Sequence, residues 1–143
     1  MTEEAIKEIA DNLDMGNRCF LHKVSKEIKF IPDFDSFDIH DDELWEDELQ
    51  FLEGDLDDFI EIEGMSSYQG FEVMKDFIDT VDDLALKAKL DFALQKSKPF
   101  RQFKIVIDDS GDYRQQWFSF KNNAYMSWVR EQIESDDDIL SFF

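Results

Sequence analysis

The chain is poor in the residues that mark specialised chemistry. It has one cysteine, Cys19, so neither an internal disulfide nor a multi-cysteine zinc site can form, and nothing speaks for an oxidising compartment. Its five glycines fall in no phosphate-cradling pattern, which excludes a nucleotide-binding loop. No run approaches the roughly 18 apolar residues of a membrane span. The opening MTEEAIKEIADNLD is acidic and amphipathic, where a secretory signal has a basic start and then an apolar run, so a cytoplasmic location is expected. Positive charge is scarcest of all in the middle. Between residues 33 and 83 a single basic residue, Lys75, faces 20 acidic ones.

What is present is apolar enough to fold. Phenylalanine occurs 15 times in 143 residues and aromatics make up 15% of the chain, which separates it from a disordered acidic tail. One domain is expected over residues 1–143: a helix, small sheet, acidic loop and helix to residue 64, a helical half over 65–135, and a tail over 136–143. The net charge of -20 is carried by the acidic middle, whereas residues 84–130 hold 9 basic and 4 acidic side chains. Such a field repels phosphates and anionic lipid over most of the surface and attracts basic partners. A surface of this kind also keeps a protein soluble without any partner.

Periodicity places the elements. Thr2 is suited to cap a helix with Ile6, Ile9, Ala10 and Leu13 on one face, stopped by Gly16. Arg18–Val24 and Glu27–Ile31 read as a β-hairpin about a Ser25-Lys26 turn, closed by Pro32. Residues 33–42 read as a loop, followed by a helix capped by Asp42, carrying Leu44, Trp45, Leu49 and Leu52 and ended by Gly54. Asp58–Ile62 alternates and is placed to add a third strand. Ser66 or Ser67 starts a strong helix bearing Tyr68, Phe71, Met74, Phe77, Ile78 and Val81, and Asp82-Asp83 leads into another with Leu86, Leu90, Ala93 and Leu94. Ser97 is suited to cap the next, with Pro99 in its first turn and Phe100, Phe103 and Ile107 on one face. After a turn at residues 108–111, Asp112 opens a last helix with two apolar stripes, one of Tyr113, Trp117, Phe120, Ala124 and Trp128, the other of Phe118, Tyr125, Val129 and Ile133. The expected class is α+β, an N-terminal helix and small antiparallel sheet packed with a helical C-terminal half.

The runs KPFRQFK (98–104) and WFSFKNNAY (117–125), with the upstream helix SSYQGFEVMKDFIDTVDDLALKAKLDFAL, resemble the C-terminal signature of the bacterial uncharacterised protein family 0158. The likeness covers about half of the chain and fades to general layout before residue 56. It departs from the family pattern at Lys98-Pro99, where glycine or alanine is usual before the first Phe, and in the Asp-Ser-Gly turn. The resemblance implies a fold and brings no activity. The residues it singles out are Phe100, Arg101, Phe103, Lys104, Trp117 and Phe120, whose aromatics at helical spacing read as core. Arg101 and Lys104 read as surface partners of nearby acids, or, with Arg114 and Lys121, as an anion pocket around Trp117.

No residue set dictates a chemistry. Cys19 and His22 stand three apart on a strand and so point to opposite faces, which rules against a nucleophile and base pair. Asp33-x-Asp35 resembles the start of a calcium loop, yet Asp38 stands where the turn needs glycine and Leu44 where a bidentate Glu is needed. Asp38, His40, Asp41 and Asp42 are weak cation donors at best, and no metal or cofactor is expected. The tail SDDDILSFF resembles the acidic tip of bacterial single-stranded-DNA-binding proteins through Asp136, Asp137, Asp138, Ile139 and Phe143, with Leu140-Ser141-Phe142 in place of a single proline; Phe142 joins these five as a candidate for partner contact. Either the tail docks on a partner, or its apolar residues fold back onto an apolar groove of this chain. The expected function is a non-catalytic protein-interaction module for a basic protein partner, with neither a membrane nor nucleic acid bound directly. The alternative is an anion-binding or phosphate-binding domain, or an enzyme, built on the basic-aromatic face.

Overall fold

The computed structural model describes residues 2–32, 50, 51, 54 and 56–135. Its elements in chain order are α1 (Glu3–Asp14), β1 (Asn17–His22), β2 (Ile28–Pro32), a 3-10 turn (Leu56–Asp58), β3 (Phe59–Ile62), α2 (Ser67–Asp79), α3 (Leu84–Leu94), α4 (Pro99–Asp108) and α5 (Asp112–Ser135). The fold is α+β. Two compact units divide it, one of residues 1–64 with 126–143 and the other of residues 65–125. The helix expected to be capped by Asp42 and the acidic loop before it lie outside the described residues, as does the tail 136–143.

The first unit is built around a three-stranded antiparallel sheet in the order β2-β1-β3. The Thr2 hydroxyl accepts from the Ala5 amide at 3.1 Å and starts α1, and Gly16 leaves it at φ +94, a conformation that glycine adopts without strain. Ile6, Ile9, Ala10 and Leu13 are buried, and α1 packs along β1. Pairing puts Cys19 opposite both Phe30 and Ile62, and Phe20 opposite both Lys29 and Glu61. Strand alternation then sends Cys19, Leu21 and Ile62 to one face and Phe20 and Ile31 to the other, and all five are buried. On the second face Phe51 meets Phe20 and Phe59 edge-on, with ring centroids 5.3 and 4.8 Å apart. The hairpin turn is held by His22, whose amide donates to the Glu27 carbonyl at 2.8 Å, and by Lys26 in the left-handed region at φ 62.

The second unit is helical. Ser66 and Gln69 form a reciprocal capping box at the start of α2, and the Asp83 carboxylate accepts from the amides of Ala85 and Leu86 at the start of α3. At α4 the cap differs from expectation. Lys98, not Ser97, is the N-cap; it sits at φ 54 and makes no side-chain cap bond, and Pro99 supplies a first turn that needs no donor. The core joins Met74, Phe77, Ile78 and Val81 to Leu86, Leu90, Phe103, Ile107 and Trp117. Phe77 is its hub, with edge-on contacts to Trp117 at 5.3 Å, Phe120 at 5.4 Å and Phe103 at 6.5 Å. Three residues of the expected stripes stand exposed outside it: Tyr68 at 73%, Phe100 at 45% and Phe118 at 40%. The Phe100 ring instead lies over Gly70, so close that a Cβ there would come within 3.2 Å of it.

Candidate functional site

Three side-chain bonds from α5 converge on one backbone residue of the first unit, Glu63. Its amide donates to Gln132 Oε1 at 2.9 Å, and its carbonyl accepts from Gln132 Nε2 at 2.7 Å and from Trp128 Nε1 at 2.8 Å. The Gln132 side-chain amide thus offers Glu63 the donor and acceptor pair that a neighbouring strand would offer. Within the second unit, Tyr125 Oη accepts from the Met65 amide at 2.9 Å. Tyr125, Trp128 and Gln132 stand at spacings of three and four on α5, so one face of that helix serves extended backbone with polar groups carried on long side chains.

Nothing in the sequence singles out Gln132. A glutamine bonded to backbone 69 residues away leaves no periodic trace, and the only hint is that Tyr125 and Trp128 carry polar tips on the same helical face.

Around this point carboxylates outnumber their partners. Asp57, Asp58, Glu61 and Glu63 are exposed. Glu61 is held by Arg18, whose Nε and Nη2 reach its two oxygens at 2.8 and 3.2 Å. Among the described residues, Asp57, Asp58 and the Glu63 carboxylate enter no ion pair. Arg130 is engaged with Glu3 and Arg114 with Asp108.

The expected basic-aromatic set is divided between core and surface. Trp117 is 8% exposed and closed in by Phe77 and Phe103, the latter 4.8 Å away, so its ring faces the core. Arg114 lies over the Phe118 ring at 4.8 Å while its Nε donates to Asp108 at 3.2 Å. Lys121 is half-buried, whereas Arg101 and Lys104 are exposed on α4 beside Ile105, which is 57% exposed. Asp136, Asp137, Asp138, Ile139, Phe142 and Phe143, like Asp38, His40, Asp41 and Asp42, lie outside the described residues.

Cys19 and His22 take separate structural parts. Cys19 is fully buried, and burial pushes its thiol up to about 12, with the Glu61 and Glu8 carboxylates adding to the effect. A thiol so poised is not a nucleophile near neutral pH. His22 Nδ1 accepts from the amides of Val24 and Ser25 at 3.1 and 3.0 Å, which places the ring proton on Nε2 and commits the imidazole to the turn. Its ring also meets Phe59 edge-on at 4.9 Å.

The sequence model of the Uncharacterised protein family (UPF0158) matches residues 2–142. A UPF0158 protein of Pseudomonas aeruginosa is 29% identical over 86 residues, an alignment that takes in 60% of this chain and 56% of the relative. The match therefore spans little more than half of that protein's length. No solved structure matches.

Proposed function

Because the chain belongs to the Uncharacterised protein family (UPF0158), whose description names no activity, we propose a role from its own residues: a cytoplasmic, non-catalytic protein-interaction module that engages basic partners. The observation that carries this reading is the imbalance of partners in the first unit. Arg18 and Arg130 are held by Glu61 and Glu3, while Asp57, Asp58 and Glu63 stand exposed with no ion pair among the described residues. The chain as a whole adds a net charge of -20. Such a surface gains most from a partner that brings its own lysines and arginines, and the gain is in rate of encounter and in specificity.

The reading is tested by capture from a bacterial lysate at low and high salt, with the full chain and with a chain ending at Ser135. Basic nucleic-acid-associated proteins held at low salt and released at high salt are the expected result, because exposed charges are screened over about 8 Å at physiological ionic strength and less at higher salt. Loss of capture on truncation assigns the contact to the tail, and its retention assigns it to the acidic middle. Failure of both forms to hold any basic protein, or capture indifferent to salt, refutes the proposal.

A further inference from the structure

The outer edge of β3 has a definite hydrogen-bonding register. The Lys23 amide donates to the Asp58 carbonyl at 2.9 Å, and the β1 to β3 pairing continues as His22 with Phe59, Leu21 with Ile60, Phe20 with Glu61 and Cys19 with Ile62. Bonded and non-bonded pairs alternate along an antiparallel ladder. The backbone groups of Asp58, Ile60 and Ile62 therefore point to β1, and those of Phe59, Glu61 and Glu63 point away from it. The Glu63 bonds agree: both of its outward groups are met by Gln132. Among the described residues nothing meets the outward amides and carbonyls of Phe59 and Glu61.

On this geometry, and resting on the basic-partner reading above, we propose that the outer edge of β3 is the docking site, and that its occupant is an extended segment of a partner protein in which basic residues alternate with β-branched ones. The segment adds as a strand beside Phe59 and Glu61, with Gln132 closing the edge at Glu63. Main-chain bonds supply attachment, and the side-chain alternation supplies selection. Glu63 shares one sheet face with Glu61, whose carboxylate is already held by Arg18, and favours lysine or arginine there, with Asp57 and Asp58, unpaired among the described residues, just beyond. The half-buried Ile60 lies on the opposite face and favours a β-branched neighbour. The other sheet edge is a poorer template. The His22 to Glu27 bond turns Ile28, Phe30 and Pro32 outward on β2, where Pro32 has no amide to give and no carboxylate stands in the strand.

The test uses the full chain and a synthetic peptide of about six to ten residues alternating lysine and valine, with a glutamate and valine peptide as control. Amide exchange and amide chemical shifts are read residue by residue. Binding of the lysine peptide with new protection at Phe59 and Glu61, and little change at the already paired Ile60 and Ile62, is expected. Glu61→Pro removes the outward donor and leaves the β1 ladder intact, so it should abolish binding, whereas Glu61→Ala should weaken it only severalfold. Binding of the lysine peptide without protection at Phe59 and Glu61 overturns the edge proposal and leaves the basic-partner reading standing. Absence of binding, or equal binding of the glutamate peptide, overturns both. The exchange measurement on the unmodified chain decides the matter even where Glu61→Pro fails to fold.

Discussion

Removing the Gln132 side chain should loosen the end of β3 by an amount that the structure bounds. Gln132→Ala deletes two hydrogen bonds to Glu63, at 2.9 and 2.7 Å, while the Glu63 carbonyl keeps the Trp128 indole at 2.8 Å. A typical intramolecular hydrogen bond contributes about 1 kcal/mol net, so the loss should be about 1 to 2 kcal/mol. That is a sizeable part of the roughly 7 to 20 kcal/mol expected for a chain of this length. Trp128→Phe removes one bond from a carbonyl that Gln132 still serves, and should cost less than 1 kcal/mol, about the value of one shared bond. The double substitution strands both Glu63 groups and should cost more than the two singles together. Gln132→Glu carries a sign of its own. The new carboxylate can accept from the Glu63 amide but faces the carbonyl with a second acceptor, so its protonated form fits better and its acidity is weakened in the fold. Stability relative to the parent should therefore be best at acid pH and fall as pH rises through the raised folded value. Urea unfolding with unchanged slope, and amide exchange at Glu63, measure these effects. An effect of Gln132→Ala below about 0.3 kcal/mol, with Glu63 exchange unaltered, would refute the reasoning.

Three further substitutions or titrations probe the rest of the fold. Phe77→Ala opens the hub between Phe103, Trp117 and Phe120; a loss of about 3 to 5 kcal/mol is expected in chemical unfolding, with weakened near-ultraviolet dichroism from Trp117. Gly70→Ala gains helix propensity and presses a methyl to 3.2 Å from the half-exposed Phe100 ring, which is free to yield; a stabilisation of about 0.5 kcal/mol is expected, and a loss would mean that the ring is fixed. Cys19 should resist alkylation in the native chain near neutral pH and react on unfolding. Because its thiol is raised to about 12 from the ordinary value of 9.0, the unfolded chain loses its proton first, and stability should fall as pH climbs from about 9 towards 12.

Much of this architecture was legible because its causes are local. Thr2, Ser66 and Asp83 cap where a side-chain oxygen meets free amides, and Gly16 ends α1 where a positive φ is needed. Alternation in residues 58–62 placed β3 in the sheet. The helical stripe of Met74, Phe77 and Ile78 is core because its spacing matches the helix period. Periodicity says which side of a helix is apolar and nothing about how far the cover extends. Tyr68, in the first turn of α2, and Phe100, in the first turn of α4, therefore read as core and stand exposed. The Lys98 cap was hidden for a related reason, since a left-handed lysine before proline is set by the turn between α3 and α4 and not by its own preference. At the candidate site, the surplus of acid was plain from composition. Its most organised feature, the Gln132 amide on Glu63, joins residues whose nearness exists only after folding.

The central claim, that this surface selects basic partners by charge, is tested most directly by titrating the full chain with the lysine and valine peptide from about 0.05 to 0.5 M salt, where the screening length shrinks from above 10 Å to below 5 Å. An affinity that exceeds that of the glutamate counterpart at low salt and falls by about tenfold or more across the range is the predicted result. An affinity indifferent to salt, or shared equally by the two peptides, would contradict it.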